Sequence, residues 1–305
     1  MIKFKPNILV ILASYNGEKY IREQIISIIN QKEVEINIRI FDDASDDETC
    51  QIAKEFPEVI LTKRSHGSGS AAVNFLEALF ELKSENELIK YDYIAFADQD
   101  DIWLENKMSR SIYFLKKGYD LYGSNLTIYK NGSPTDETIV KSHKQKKYDF
   151  LFEGGSAGCT YVFTPYLAEI ICDNYKKIRT NTWKYFSHDW FIYFIARLNG
   201  LKTHIDKESN IYYRIHENNV HGEMNSNSIK AYAKRVSFVF SNWYLESSKG
   251  YLQFCDKDSV EFKILNKFVF GYFQRIWVLI KFNTQLMKSK SKFCKFFVII
   301  ALKIK

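Results

Sequence analysis

Three carboxylates crowd the stretch Asp98-Gln-Asp100-Asp101-Ile-Trp103, directly after the apolar run Tyr91-Asp-Tyr-Ile-Ala-Phe-Ala97. Anions packed this closely repel one another unless a cation or ligand compensates them. The run before them has the residues of a buried strand, with Phe96 just ahead of the acids, so the cluster is expected at a strand's C-terminal end. That is the edge at which open α/β sheets bind ligands. Carboxylate-rich sites suit hard divalent cations, Mg²⁺ or Mn²⁺, which bind through one or two carboxylates plus substrate phosphates. A metal-bound diphosphate is therefore the first expectation. The plainer alternative is a solvated acidic turn ahead of a helix opening within Trp103-Leu-Glu-Asn-Lys-Met-Ser-Arg-Ser-Ile112, since acids favour helix N-termini.

The elements that must position this cluster alternate in the first half of the chain as strand and helix, the pattern of a parallel sheet wrapped by helices. Asn7-Ile-Leu-Val-Ile-Leu-Ala13 is a continuous apolar run, expected for a central strand buried on both faces, and Ser14-Tyr-Asn-Gly17 follows as a polar turn. Ile21, Ile25, Ile28 and Ile29 recur at helical spacing. Ile36-Asn-Ile-Arg-Ile-Phe41 is a second strand ending in Asp42 and Asp43, and Ser45-Asp-Asp-Glu48 matches a capping box that would open the next helix. Val59 to Thr62 is a third strand. Ser65 to Ser70 leads into a helix carrying Val73, Phe75, Leu76, Leu79 and Phe80. Polar or acidic residues thus end three strands on what should be one edge. Beyond residue 120 the reading is a strand from Asp120 to Tyr129, a Lys-rich loop from Thr135 to Asp149 and a glycine-rich turn, Gly154-Gly-Ser-Ala-Gly158. The strand-like Cys159-Thr-Tyr-Val-Phe163 comes next, then helices over Pro165 to Lys177 and Asp189 to Leu198, and a short strand, Ile211 to Ile215.

With 305 residues the chain can bury a large core. No charged leader followed by an apolar stretch and cleavage site opens it, so a cytoplasmic location is expected. The five cysteines are odd in number, scattered and never in a C-x-x-C pair, which argues against zinc and disulfides. Charge is uneven: residues 226–305 carry 15 Lys and Arg against 4 Asp and Glu, while 28 face 32 in the part before them. Such a basic appendage suits an anionic partner. Its runs Phe268 to Ile280 and Phe296 to Leu302 fall short of the ~20 apolar residues of a membrane span, so interfacial amphipathic helices on an anionic membrane surface are expected. A helical subdomain with solvated lysines is the alternative. No recognition motif accompanies the charge, so no nucleic acid partner is expected.

The segments Ala13-Ser-Tyr-Asn-Gly-Glu-Lys-Tyr20, Asp42-Asp-Ala-Ser-Asp46, Asn74-Phe75, Ala97-Asp-Gln-Asp-Asp-Ile-Trp103, Ser187-His-Asp-Trp190 and Tyr213-Arg-Ile-His-Glu-Asn-Asn219 with Gly222 occur in this order over roughly the first 225 residues. As an ordered set they resemble a family 2 glycosyltransferase, and more closely its bacterial rhamnosyltransferase-like branch. The resemblance implies an α/β GT-A fold, Rossmann-like with a mixed central sheet flanked by helices, over residues 1–225. A basic, aromatic-rich helical extension would occupy 226–305. No G-x-G-x-x-G follows the first strand to suggest a dinucleotide site.

The resemblance also implies roles. Tyr15 would lie against the nucleotide base, and Asp43 or its neighbour Asp42 would accept a hydrogen bond from a pyrimidine imide. Ser14, Asn16, Asn74 and Gln99 belong to the same donor site, and Arg214 would clamp phosphate. Asp98 would contact the ribose or the metal, Asp100 would bind the Mg²⁺ or Mn²⁺ that bridges the diphosphate, and Asp101 and His216 are further ligand candidates. Asp189 aligns with the general base that deprotonates the acceptor hydroxyl for inverting attack. Trp103, Gly155, His188 and Trp190 are acceptor-side candidates. Ile215 stands where the commoner form Tyr-Arg-Gln-His has a glutamine, so no side-chain amide is offered there. The expected reaction is transfer of a sugar, L-rhamnose from dTDP-L-rhamnose or else galactose or glucose from UDP, to a saccharide acceptor on a lipid carrier during cell-surface polysaccharide assembly. An aspartyl phosphohydrolase would carry its Asp-x-Asp after the first strand, which here ends in Ser14-Tyr-Asn. A non-catalytic sugar-binding or scaffold protein would need neither Asp100 nor Asp189.

Overall fold

The computed structural model describes residues 5–178, 187–216 and 243–302. It divides into two compact units: residues 5–142, 155–178 and 187–214 in the first, and 143–154, 215–216 and 243–302 in the second. The domain boundary expected near residue 225 lies outside the described residues, as do residues 217–222 of the last motif.

The first unit is built on β1 (Asn7–Ser14), buried along almost its whole length. Parallel neighbours flank it, β2 (Glu35–Asp42) on one side and β4 (Tyr93–Asp98) on the other, with β3 (Val59–Lys63) outside β2. Alternation of side chains across β1 sends Ile8, Val10 and Leu12 to one face. There they join Ile21, Ile25 and Ile28 of α1 (Ile21–Ile29) and Met108, Ile112 and Leu115 of α4 (Lys107–Leu115) in one apolar cluster. On the other face Phe96 of β4 stacks on Phe75 of α3 (Ala71–Ser84), ring centroids 4.6 Å apart, and meets Phe163 edge-on at 5.2 Å. Helices on both faces explain why β1 is a continuous apolar run.

Beyond β4 the sheet becomes mixed. With β5 (Ile102–Trp103), β6 (Leu121–Lys130), β7 (Ser133–Ile139), β8 (Val162–Phe163) and β9 (Thr203–Arg214), it runs β3-β2-β1-β4-β8-β6-β9-β5, with β7 on β6. The short β8 is antiparallel to both β4 and β6, while β9 runs parallel to β6. Helices α5 (Pro165–Tyr175) and α6 (His188–Leu198) complete the unit, and α6 is buried nearly all round from Trp190 to Ala196.

Several expected elements differ from those observed. No helix opens at Trp103: Ile102–Trp103 forms β5, held antiparallel on Tyr212 and Ile211 of β9, so α4 starts only at Lys107. The expected capping box at Ser45 does not form, because Asp42 captures both the amide and the hydroxyl of Ser45. The short α2 (Thr49–Ala53) starts three residues later than a Ser45 cap would set it, and the Asp47 carboxylate accepts from the Thr49 amide at 3.0 Å. The start of the expected Lys-rich loop is a strand, β7 (Ser133–Ile139), joined to β6 by the two-residue turn Asn131-Gly132. Both turn residues have positive φ, 54° and 80°, as a type I′ hairpin requires. Cys159 and Thr160 lie in a 3-10 turn, and only Val162–Phe163 of that run pairs as strand. The last strand spans twelve residues, not five.

The second unit contains α7 (Trp243–Leu252), α8 (Val260–Phe270), α9 (Tyr272–Lys281) and α10 (Lys290–Leu302). Its aromatic core joins Phe152, Phe268 and Phe296 with centroids 4.9 to 5.8 Å apart, and Tyr244 abuts Phe296 at 4.6 Å. Residues 143–154 are fastened within it, the Tyr148 amide donating to the Gln285 carbonyl and the Lys288 ammonium to the Gly154 carbonyl. Among the described residues no helix is long and apolar enough to cross a membrane.

Candidate active site

Strand register assembles the site edge. Ser14 pairs with Asp42, and Ala13 with Asp98, so three parallel strands deliver Ser14, Asp42 and Asp98 to the same end of the sheet. The expectation that three polar strand ends converge is met.

The β1 and β2 ends are locked to each other. Asp42 is fully buried and accepts from the Ser14 hydroxyl at 2.8 Å and from the Ser45 amide and hydroxyl at 2.8 and 2.5 Å. This latch holds Ala44 at φ 68°, an uncommon conformation for a residue with a Cβ. Asp43 fastens the next loop, accepting from the Ser68 and Gly69 amides at 2.7 and 3.0 Å. Asn16 is bound at both ends, its amide N–H donating to Ser45 and its side-chain oxygen accepting from the Asp46 amide. Asn74 is buried: its amide donates to the Phe41 carbonyl and accepts from Arg64. Gln99 clamps the Tyr15 backbone at two points, accepting from its N–H at 2.8 Å and donating to its carbonyl at 2.9 Å. The Tyr15 ring itself stands 58% exposed. Among the donor-site candidates Tyr15 and Asn16 are exposed, and the hydrogen bonds above fix the loops that carry them.

At the end of β4, one ligand atom each from Asp98, Asp101 and Cys159 lies within 4.8 Å of the others. Burial, the charge of Asp100 and that of Asp189 push the Asp98 carboxyl up to about 7. Burial first, then Asp100 and Asp98, push Asp101 well above the usual carboxylate range, against downward pulls from the Cys159 thiol and the Arg214 amide. Asp101 is 1% exposed, and its Oδ2 has no hydrogen-bond partner. Desolvated, mutually repelling carboxylates with an orphaned oxygen fit a bound divalent cation, whose charge would relieve all three effects. The Cys159 thiol is itself pushed up, by burial and by Asp101 and Asp98, so it stays neutral. The oxygen donors that remain suit Mg²⁺ or Mn²⁺ better than zinc. Beneath them Lys107 is buried, its ammonium 3.7 Å from the centroid of the Trp103 ring. Burial lowers its pKa to about 7, while Cys159 and Asp101 pull it the other way.

Arg214, at the end of β9, ties this turn down. Its Nε donates to the Asp100 carbonyl at 2.9 Å, its amide to Asp101 at 3.3 Å, and its guanidinium pairs with Glu23. Tyr20 and Tyr129 pack on the guanidinium with ring centroids at 4.5 and 4.7 Å. His216 lies two residues further on, in the second unit.

Asp189 lies in the first turn of α6, with Ser187 at the N-cap position, so it is not itself the cap. Its Oδ1 accepts from the Trp190 amide at 2.8 Å and from the Ser187 hydroxyl. Tyr161 connects this helix start to the acidic strand: its hydroxyl donates to the Asp189 carbonyl at 3.1 Å, and its own carbonyl accepts from the Phe96 amide. The charge of Asp189 also reaches Asp98. General-base and acidic-cluster candidates from distant parts of the sequence are thus electrostatic neighbours.

The acceptor-side candidates divide. Trp103 and Trp190 are each 3% exposed, packed inside the unit on β5 and α6. His188 is half-buried against Phe75, ring centroids 4.8 Å apart. Gly158 is what admits it, since a Cβ there would collide with the imidazole. Gly155 is buried where a Cβ would stand 2.6 Å from the Tyr193 ring and 2.9 Å from the Tyr161 hydroxyl. Both neighbours are fully buried. Gly155→Ala is therefore expected to destabilise the fold by about 1–3 kcal/mol, measured as a lower urea midpoint, and an unchanged midpoint would contradict this packing.

Cys159, Tyr161 and Lys107 were not legible as site residues. Each is a lone residue of ordinary type in its own segment, and only the antiparallel insertion of β8 brings the first two beside β4.

The model of the family described as "Glycosyl transferase family 2" matches residues 9–173, more than half of the chain. The chain belongs to glycosyl transferase family 2. Its relatives place the transferase in the rhamnosyltransferase-like branch: it is 37% identical over 242 residues to the dTDP-rhamnosyl transferase RfbG of Shigella flexneri, covering 76% of this chain and 80% of that one. It is 24% identical over 236 residues, 76% of this chain and 85% of the other, to WfaP of Escherichia coli, a UDP-Glc:alpha-D-GlcNAc-diphosphoundecaprenol beta-1,3-glucosyltransferase. Among solved structures, S. aureus TarS 1-349 in complex with UDP-GlcNAc superposes with a TM-score of 0.57 at 16% identity, over 98% of this chain and 91% of that one. The mixed sheet flanked by helices is thus the GT-A fold, and the transferase reading displaces the phosphohydrolase and scaffold alternatives.

Proposed function

We propose that this glycosyltransferase moves L-rhamnose from dTDP-L-rhamnose to a saccharide acceptor with inversion at the anomeric carbon, in the assembly of a lipid-linked cell-surface polysaccharide. The observation that carries the mechanism is the meeting of charges at one sheet edge, Asp98, Asp100 and Asp101 after β4 with Asp189 at the start of α6. The donor rests on the 37% identity to a dTDP-rhamnosyl transferase, and the lipid-linked acceptor on the name of the WfaP relative.

In this reading the acids after β4 hold a Mg²⁺ or Mn²⁺ ion, which would neutralise charge growing on the diphosphate leaving group. Tyr15, with its ring exposed and its backbone clamped by Gln99, offers a face to the nucleotide base. Asp43 retains lone pairs beyond the loop amides it binds and accepts from the base imide. Asp42, Ser14, Asn16 and Asn74 serve the donor indirectly, by holding these loops in place. Arg214 orients the acidic turn through the Asp100 carbonyl and keeps Asp101 in register. Asp189 takes the acceptor hydroxyl proton as that oxygen attacks from the face opposite the nucleotide. His188 is proposed to complete the acceptor surroundings.

Residues 1–225 form the catalytic domain in this proposal and 226–305 the basic extension. The enzyme works at the cytoplasmic face of the membrane as a peripheral protein.

A second reading, transfer of glucose or galactose from UDP, is supported by WfaP, whose name specifies UDP-Glc. Release of nucleoside diphosphate from a panel of dTDP-, UDP-, GDP- and CMP-sugars separates them. Turnover of dTDP-L-rhamnose supports the first, turnover of UDP-hexoses alone the second, and activity only with GDP- or CMP-sugars contradicts both.

A further inference from the structure

The two apolar runs of the basic extension have different fates in the fold. In α10, Phe296 and Ile300 are buried, 2% and 1% exposed, and Phe296 belongs to the aromatic core of the second unit. Phe297, Ile299 and Ala301 are half-buried and Val298 is 56% exposed, so that run goes mostly into internal packing. In α9, Val278 and Leu279 are fully buried, whereas Phe273, Trp277 and Ile280 are 84%, 43% and 59% exposed. Their spacing of four and three residues puts them on one stripe of the helix. Phe270, at the end of α8, adds a fourth exposed apolar side chain, 68% open to solvent. Helix α9 is therefore apolar on two faces, and its own unit uses only one of them.

The corner that presents the stripe is firmly built. Arg275 is nearly buried and turns back to cap α8, Nε donating to the Phe268 carbonyl at 2.7 Å and a terminal nitrogen to the Val269 carbonyl at 3.4 Å. A cation on the last carbonyls of a helix is favourably placed.

Cations flank the stripe. The ammonium groups of Lys267 and Lys281 stand 4.2 and 4.6 Å from the centroid of the Trp277 ring. From Phe262 to Lys305 the sequence has ten Lys and Arg and no Asp or Glu. A second copy docked here about a two-fold axis would bring the same lysines against each other, with no nearby carboxylate in this stretch to pair with them. Aromatic rings among lysines on a stable helix instead match an anionic membrane surface, where rings insert at the headgroup boundary and lysine stems reach up to lipid phosphates.

We propose that Phe270, Phe273, Trp277 and Ile280, rimmed by Lys267 and Lys281, form a membrane-binding face that takes an anionic lipid surface. The proposal deepens the peripheral location put forward above and does not depend on the donor or acceptor.

Flotation of the full chain with phosphatidylcholine vesicles, with and without phosphatidylglycerol, tests it. The wild type should float with the anionic vesicles, more weakly with the neutral ones. Phe273→Ser/Trp277→Ser should lower partitioning onto both by at least ~10-fold. Lys267→Gln/Lys281→Gln should lower it on the anionic vesicles only, and raised salt should weaken wild-type binding without abolishing it. Phe273, Trp277 and Lys281 are exposed and Lys267 is half-buried, and an unchanged thermal melt confirms that the variants fold. Equal flotation of wild type and the Phe273/Trp277 variant would overturn the proposal. So would a wild-type dimer that this variant converts to a monomer while neither floats, which would assign the face to a second copy. An inactive donor panel combined with the expected flotation would sink the donor assignment and leave this face standing.

Discussion

Asp189→Asn is expected to lower kcat by ~10²- to 10⁴-fold with donor affinity unchanged. The amide keeps the size of the carboxylate and an oxygen able to accept from the Trp190 amide and the Ser187 hydroxyl, so the start of α6 should keep its geometry. What is lost is the ability to take a proton. The Tyr161 hydroxyl binds the Asp189 carbonyl, not its side chain, so the link to β4 also survives. Turnover and donor binding by calorimetry, measured in parallel, read the two effects separately. A loss in kcat under ~10-fold would be too small for the base role, and a matching loss in donor affinity would make Asp189 a donor-site residue instead.

Asp100→Ala is expected to abolish transfer, by ~10³-fold or more on the scale of losing a group that stabilises charge in the transition state, without unfolding the chain. Its carbonyl, not its carboxylate, makes the contact to Arg214 Nε, and alanine retains that carbonyl. The carboxylate contributes charge, pushing Asp98 and Asp101 upward. Removing it lets those two ionise more readily but takes one acid from the proposed cation site. Mn²⁺ binding should therefore weaken, and activity should not return at saturating metal. An Asp100→Ala variant with near-normal turnover at limiting Mn²⁺ would remove Asp100 from the metal site.

The chemistry at the strand ends was legible because it depends on local signals. The apolar run before Ser14, the strand ending in Asp42 and the run before Asp98 each announce a buried strand, and parallel register then aligns their ends without further information. The ordered motifs added Asp189, which no local pattern ties to β4. Illegible residues are those whose role comes from long-range pairing. Trp103 sits where a helix was expected because β9, over a hundred residues later, captures its backbone. Residues 143–149 belong to the stretch expected as a Lys-rich loop, yet Tyr148 is 3% exposed and Phe152 just beyond joins the aromatic core of the second unit. The hairpin between β6 and β7 is a different kind of miss. Asn131-Gly132 is a strong local turn signal, and the polar, charged residues after it concealed an edge strand whose seven residues are half-buried at most.

In the proposed mechanism the acids at the end of β4 and Asp189 act on opposite sides of one anomeric carbon. The anomeric configuration of the new linkage, read by NMR on the product formed from the accepted nucleotide sugar in the presence of Mg²⁺ or Mn²⁺, tests it most directly. A single linkage of configuration opposite to the donor's is expected, formed by the wild type and lost together with turnover in Asp189→Asn. A product that keeps the donor's configuration would contradict it.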